Sequence, residues 1–108
     1  MTTIATERKI LTLINVFTVR PEKQQKLINV LVEAGESVMK TLPGFISANL
    51  HRSLDGTKVT NYAQWESREA WEAMLHNPLA IPHLHACTEL AEKAEPYLYE
   101  VVYSEALA

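Results

Sequence analysis

The sequence predicts an α+β fold of the ferredoxin-like kind, an antiparallel sheet with helices on one face, in the order β-α-β-β-α-β. Three observations predict it. Segments of strand character occur at residues 10–19, 45–54, 57–66 and 97–104. Two stretches of helical spacing separate them, the second in two pieces. Asp55-Gly56, between the middle strands, is a strong signal for a two-residue hairpin turn of type I′.

Each element has its own justification. Residues 1–9 are polar and read as a flexible N-terminal arm, and residues 10–108 form one domain. The run ILTLINVFTV is β-rich and apolar on both alternations, which predicts a strand covered on both faces. Pro21 suits a first helical turn, where its missing N–H matters least. Leu27, Leu31, Gly35 or Ala34, Val38 and Leu42 follow at helical spacing, widened by Ile28, Val32 and Met39. Glycine inside that pattern costs about 1 kcal/mol and hints at close packing around Gly35. Leu42-Pro43-Gly44 ends the helix. Ser67 is an N-cap and Glu69 complements the dipole of a second helix, which turns Ala70, Trp71, Met74 and Leu75 inward. Asn77-Pro78 breaks it, and a further helix over about 79–94 carries Ile81, Leu84, Cys87 or Thr88, and Ala91 on its apolar side. Pro82 lies in or before its first turn. Pro96 then precedes the last strand, YLYEVVYS.

Composition narrows the function. The 108 residues are 47% hydrophobic and 21% charged, which suits one soluble domain. Ten Lys+Arg against 13 Asp+Glu leave a charge of −3, with no basic surplus for a nucleic acid partner. No apolar run reaches the roughly 18 residues of a membrane span, and no signal peptide is visible, so a cytoplasmic protein is expected. One cysteine, Cys87, excludes an internal disulfide.

The hairpin sets a register. Pairing outward from Leu54–Thr57 brings together Arg52 and Val59, Leu50 and Asn61, Ala48 and Ala63, and Ile46 and Trp65 on one face. The other face carries Ser53–Lys58, His51–Thr60, Asn49–Tyr62 and Ser47–Gln64. The first face is apolar apart from Asn61 and Arg52 and belongs under the helices. A buried amide without partners costs about 1–3 kcal/mol. Asn61 therefore either bonds a neighbouring backbone group or looks, with Trp65, into an apolar small-molecule pocket. Asn15 is a second polar interruption, on the side of Leu13 and Phe17. The sequence does not say whether Asn61 faces the same way.

The segments LINVFTVRPEK, TLPGFISANLHRSLDGTKV, NYAQWESREAWEAML and YEVVY together resemble the antibiotic biosynthesis monooxygenase domain, from about Leu11 to Tyr103. The resemblance implies a dimeric α/β barrel, two such sheets packed face to face in a homodimer, often with exchanged C-terminal strands. It also implies a small aromatic or quinol-like substrate oxidised by O2 without metal or flavin cofactor. Asparagine and tryptophan at the Asn61 and Trp65 positions then line the site as catalytic residues. The chain departs from that pattern in places. Leu50 stands where a tyrosine faces the asparagine. Trp71 replaces an aromatic near the start of the following helix. His85, or its neighbour His83, stands for an arginine. His85 is a candidate base because its ordinary pKa is about 6.5, although both histidines also read as a solvated helix face. Leu50, Trp71, Asn15 and His83 are candidate substrate contacts.

Two other readings share the fold. One is a non-catalytic barrel that binds or senses a small apolar molecule. The other is a haem-degrading enzyme, whose first-strand asparagine matches Asn15. Its helical tryptophan and iron-binding histidine fall at Met74 and Leu84. No metal ligand set is evident, since His83 and His85 point apart on a helix and Cys87 reads as a small core residue.

Overall fold

The computed structural model describes residues 10–107; the expected N-terminal arm lies outside the described residues. Strands β1 (Leu11–Thr18), β2 (Phe45–Arg52), β3 (Lys58–Trp65) and β4 (Lys93–Tyr99) form one antiparallel sheet in the order β2-β3-β1-β4. Helices α1 (Gln24–Ser37), α2 (Arg68–Leu75) and α3 (Ile81–Leu90) complete the ferredoxin-like α+β fold. None of the described helices is long and apolar enough to cross a membrane.

Local chemistry sets the boundaries. Pro21 opens a short 3-10 turn, Pro21–Lys23, that leads into α1. Buried Gln24, on the first turn of α1, donates from its amide to the carbonyls of Ser53 and Lys58 at 3.1 and 3.0 Å, tying the helix to the β2–β3 hairpin. After α1 a second 3-10 turn, Met39–Thr41, brings the chain to Gly44, whose φ of +85° suits glycine. Ser67 caps α2 by accepting from the Ala70 N–H. Asn77 Oδ1 accepts from Leu79 N–H in the bend between α2 and α3.

The hairpin differs from the expected turn but keeps its register. Asp55 does not have positive φ; Gly56 alone does, at +82°, and its N–H donates to Ser53. The turn is therefore not type I′. The loop closes instead at the Ser53–Lys58 pair, one pair further out, and lengthening a loop symmetrically leaves the pairing unchanged. Arg52–Val59, Leu50–Asn61, Ala48–Ala63, Asn49–Tyr62 and Ser47–Gln64 all pair as expected. The expected Ile46–Trp65 pair is not formed. A bulge between Phe45 and Ser47 pairs Phe45 with Trp65, with the rings edge to face at 5.4 Å.

The C-terminal third also differs. The third helix stops at Leu90, because Ala91 is already extended. The last strand is Lys93–Tyr99, earlier than the expected 97–104, and it contains Pro96. Proline is tolerated there because β4 is an edge strand.

The helix-facing apolar residues fall into two clusters. One gathers Leu13, Val38, Ala63, Trp65, Met74 and Ala80. The other gathers Phe17, Val19, Leu27, Val59 and Cys87. On β1 the residue between Leu13 and Phe17 on that face is Asn15; on β3 the residue between Ala63 and Val59 is Asn61. The two asparagines thus lie where the core divides.

Candidate active site

The sheet register aligns one transverse row across all four strands: Leu50 on β2, Asn61 on β3, Asn15 on β1 and Pro96 on β4. Asn15 and Asn61 are direct cross-strand partners, so their side chains leave the same face at neighbouring positions. Pairing of β1 with β3 decides the side of Asn15, which alternation within one strand could not.

Above this row lies a cavity of about 660 Å³. Its floor includes Asn15, Asn61, Ala63 and Leu50, and Trp65, Trp71 and Met74 wall one end. Trp65 is 2% exposed and packs edge-on with Phe45, which holds its indole fixed. The lining is mostly aliphatic and aromatic, as small-molecule sites are. Ala48, expected beneath the helices, lines the cavity yet is exposed.

Polar satisfaction marks the floor. The Oδ1 atoms of Asn15 and Asn61 are buried and have no hydrogen-bond partner among the described residues. Thr12 Oγ1 shares that state, but on the opposite face of the sheet. Backbone does not satisfy the Asn61 carbonyl, which was one of the two readings of that residue. Both amides line the apolar chamber, but these oxygens are closed off from it, so the groups turned to the space are the amide N–H donors. An amide turned by 180° presents its carbonyl instead, so the same pair can meet either an oxyanion or a hydroxyl.

Among the described lining residues only Glu36, Lys40 and Cys87 titrate. Glu36 and Lys40 are exposed at the mouth and paired at 3.7 Å. Burial pushes the Cys87 thiol up to about 11, so it is neither an anion nor a nucleophile at neutral pH. His85 is exposed on α3, His83 is half-buried, and neither lines the cavity. The structure thus gathers Asn15, Leu50, Asn61, Trp65 and Trp71 around one space and leaves both histidines outside it. No three His, Cys, Asp or Glu side chains among the described residues group as a metal site. Met74 and Leu84, the positions where the resemblance puts the tryptophan and the iron ligand of haem-degrading enzymes, pack with the apolar core, and the Leu84 side chain has no atom that binds iron.

Comparison with known proteins agrees with this geometry. The antibiotic biosynthesis monooxygenase family matches residues 10–89. The chain belongs to that family. This monooxygenase is 41% identical over 104 residues to tetracenomycin-F1 monooxygenase of Streptomyces glaucescens, spanning 96% of this chain and 92% of that one. Its fold matches the monooxygenase from the gene ActVA-Orf6 of Streptomyces coelicolor, solved with nanaomycin D. There the TM-score is 0.82 at 27% identity, covering 91% of this chain and 92% of that one. It also shares the fold of SnoaB, a cofactor-independent oxygenase from Streptomyces nogalater, at TM-score 0.77 and 24% identity, over 88% of this chain and 95% of that one.

Proposed function

We propose that this monooxygenase oxidises a fused-ring phenol or quinol-like aromatic with O2 inside the cavity, without a resident cofactor. Asn61, Asn15 and Trp65 are the groups proposed to act. The single observation that supports the reading is the pair of unpartnered carboxamides facing an apolar chamber beside a fixed tryptophan. A phenolic oxygen accepts from such amide N–H groups. Once the phenol ionises, the amide N–H groups and the indole N–H are the donors suited to its oxyanion. The activated ring carbon gives an electron to O2, and the two radicals combine to a hydroperoxide. Loss of water from a CH–OOH leaves C=O, so a CH2 and O2 become C=O and H2O. Apolar walls keep bulk water from the radical pair. The relatives named above, one acting on tetracenomycin F1 and one solved with nanaomycin D, are consistent with an aromatic substrate of this class.

The test is O2 uptake by the purified chain with a dihydroxyanthrone. Losing one oxyanion donor typically lowers kcat by about 10²–10³, and Asn61→Ala is expected to fall in that range while still binding the quinone product. Turnover no faster than in buffer overturns the proposal, and ligand binding without O2 uptake turns it into a binding protein.

The working unit is proposed to be a homodimer joined through the open sheet face. That face carries half-buried Ile14 and Val16 beside Tyr97 and Tyr99, which are 59% and 47% exposed. The cytoplasm is the proposed compartment, since the lone Cys87 needs no oxidising environment.

A further inference from the structure

Gly35 sits inside α1, where glycine is the poorest helix former after proline. The two usual reasons for such a glycine are absent. Its φ is not positive; among the described glycines only Gly44 and Gly56 have that conformation. Close packing, the expectation from sequence, does not explain it either: beyond its chain neighbours and the backbone of its own helix, a Cβ built on Gly35 meets no atom within 4 Å. The contrast within the chain is Gly44, where the same atom would lie 2.5 Å from the Ala70 Cβ. Gly35 is nevertheless half-buried, and it lines the cavity. The empty space beside it is cavity space. Across the chamber the sheet also presents small residues, Ala48 paired with Ala63.

We propose that Gly35 is a specificity-determining residue that sets the size of ring system the cavity accepts, its missing side chain leaving room for the third ring of a fused aromatic. The inference rests on the reading of the cavity as the substrate site. It explains why a helix-weakening residue stands where the backbone does not require it.

Gly35→Ala and Gly35→Leu test it, with ligand binding read from quenching of Trp65 and Trp71 fluorescence. The probes are a three-ring dihydroxyanthraquinone and a two-ring dihydroxynaphthalene. Gly35→Leu is expected to weaken the three-ring probe by about tenfold or more and the two-ring probe by less than about threefold, in line with the discrimination that added carbon groups give in apolar pockets. Gly35→Ala is expected to melt above the wild type without ligand, since the helix gains a better former and nothing is displaced. Equal weakening of both probes, or none, overturns the size role. A lower melting temperature for Gly35→Ala also overturns it, because the position would then be packed. Failure of the wild type to bind either probe removes the substrate-site reading itself, whereas wild-type binding left unchanged in Gly35→Leu removes only the role of Gly35.

Discussion

At Asn15 and Asn61 the protein keeps two polar atoms where its fold would be more stable without them. Each is flanked along its strand by core residues, Leu13 and Phe17 for one and Ala63 and Val59 for the other. Each carbonyl lacks a partner among the described residues. Leucine has nearly the shape of asparagine and no polar atoms to desolvate. Asn15→Leu is therefore expected to stabilise the chain by about 1–2 kcal/mol, within the usual penalty for an unsatisfied buried group, read from urea unfolding. Binding of a dihydroxyanthraquinone is expected to weaken in the same variant. A loss of stability instead would mean that Asn15 already has its partner in the protein. The sequence made Asn61 visible as a polar break in an apolar strand face. Asn15 was visible as a break, but its side was not, because direction on β1 depends on which strand pairs with it. The sequence left the histidines between the site and a solvated helix face for a related reason: position along α3 does not say which way an irregularly amphipathic helix turns its polar residues.

At the scale of elements, the β2–β3 hairpin holds the site in register. Asp55 organises its loop by accepting from Thr57 N–H at 3.0 Å and from the Thr57 and Ser53 hydroxyls at 2.8 Å each. The Thr57 backbone bond, followed by the two hydroxyls, lowers the Asp55 carboxyl from 3.8 to about 2. A depressed folded-state pKa means stability that is present above pH 3.8 and lost as pH falls through about 2. Asp55→Asn is expected to be less stable than the wild type at pH 6, with the gap closing between pH 4 and pH 2, as measured by urea midpoints across that range. A gap independent of pH would place the effect in the turn backbone instead of the carboxylate. This element was largely legible from sequence, because Asp55-Gly56 marks the centre of symmetry and any symmetric loop gives the same pairs. The bulge at Ile46 was not legible, and neither was β4. A proline normally argues against strand interior, and only the edge position of β4 makes Pro96 acceptable.

For the whole molecule, the distribution of titratable groups around the cavity determines how turnover responds to pH. The floor holds carboxamides and hydrocarbon, the mouth holds the exposed Glu36–Lys40 pair, and Cys87 stays protonated until about pH 11. His85 faces solvent, away from the lining. A chamber of this kind can favour an anion through its donors, but it has no neutral-pH base on the described floor to create one. In the proposed reaction the substrate then supplies its own acidity, and the site acts by lowering the free energy of the phenolate once it has formed. The logarithm of kcat/KM is expected to rise with pH at a slope near one until the substrate phenol is ionised. The inflection should move when a more acidic anthrone is used. His85→Gln should leave the profile unchanged, because the ring is outside the chamber. Stopped-flow quinone formation across pH 5–10 with two anthrones of different acidity decides the matter. An inflection fixed at one pH for both substrates would identify a protein base, and its disappearance in His85→Gln would restore the role that the sequence suggested for that residue.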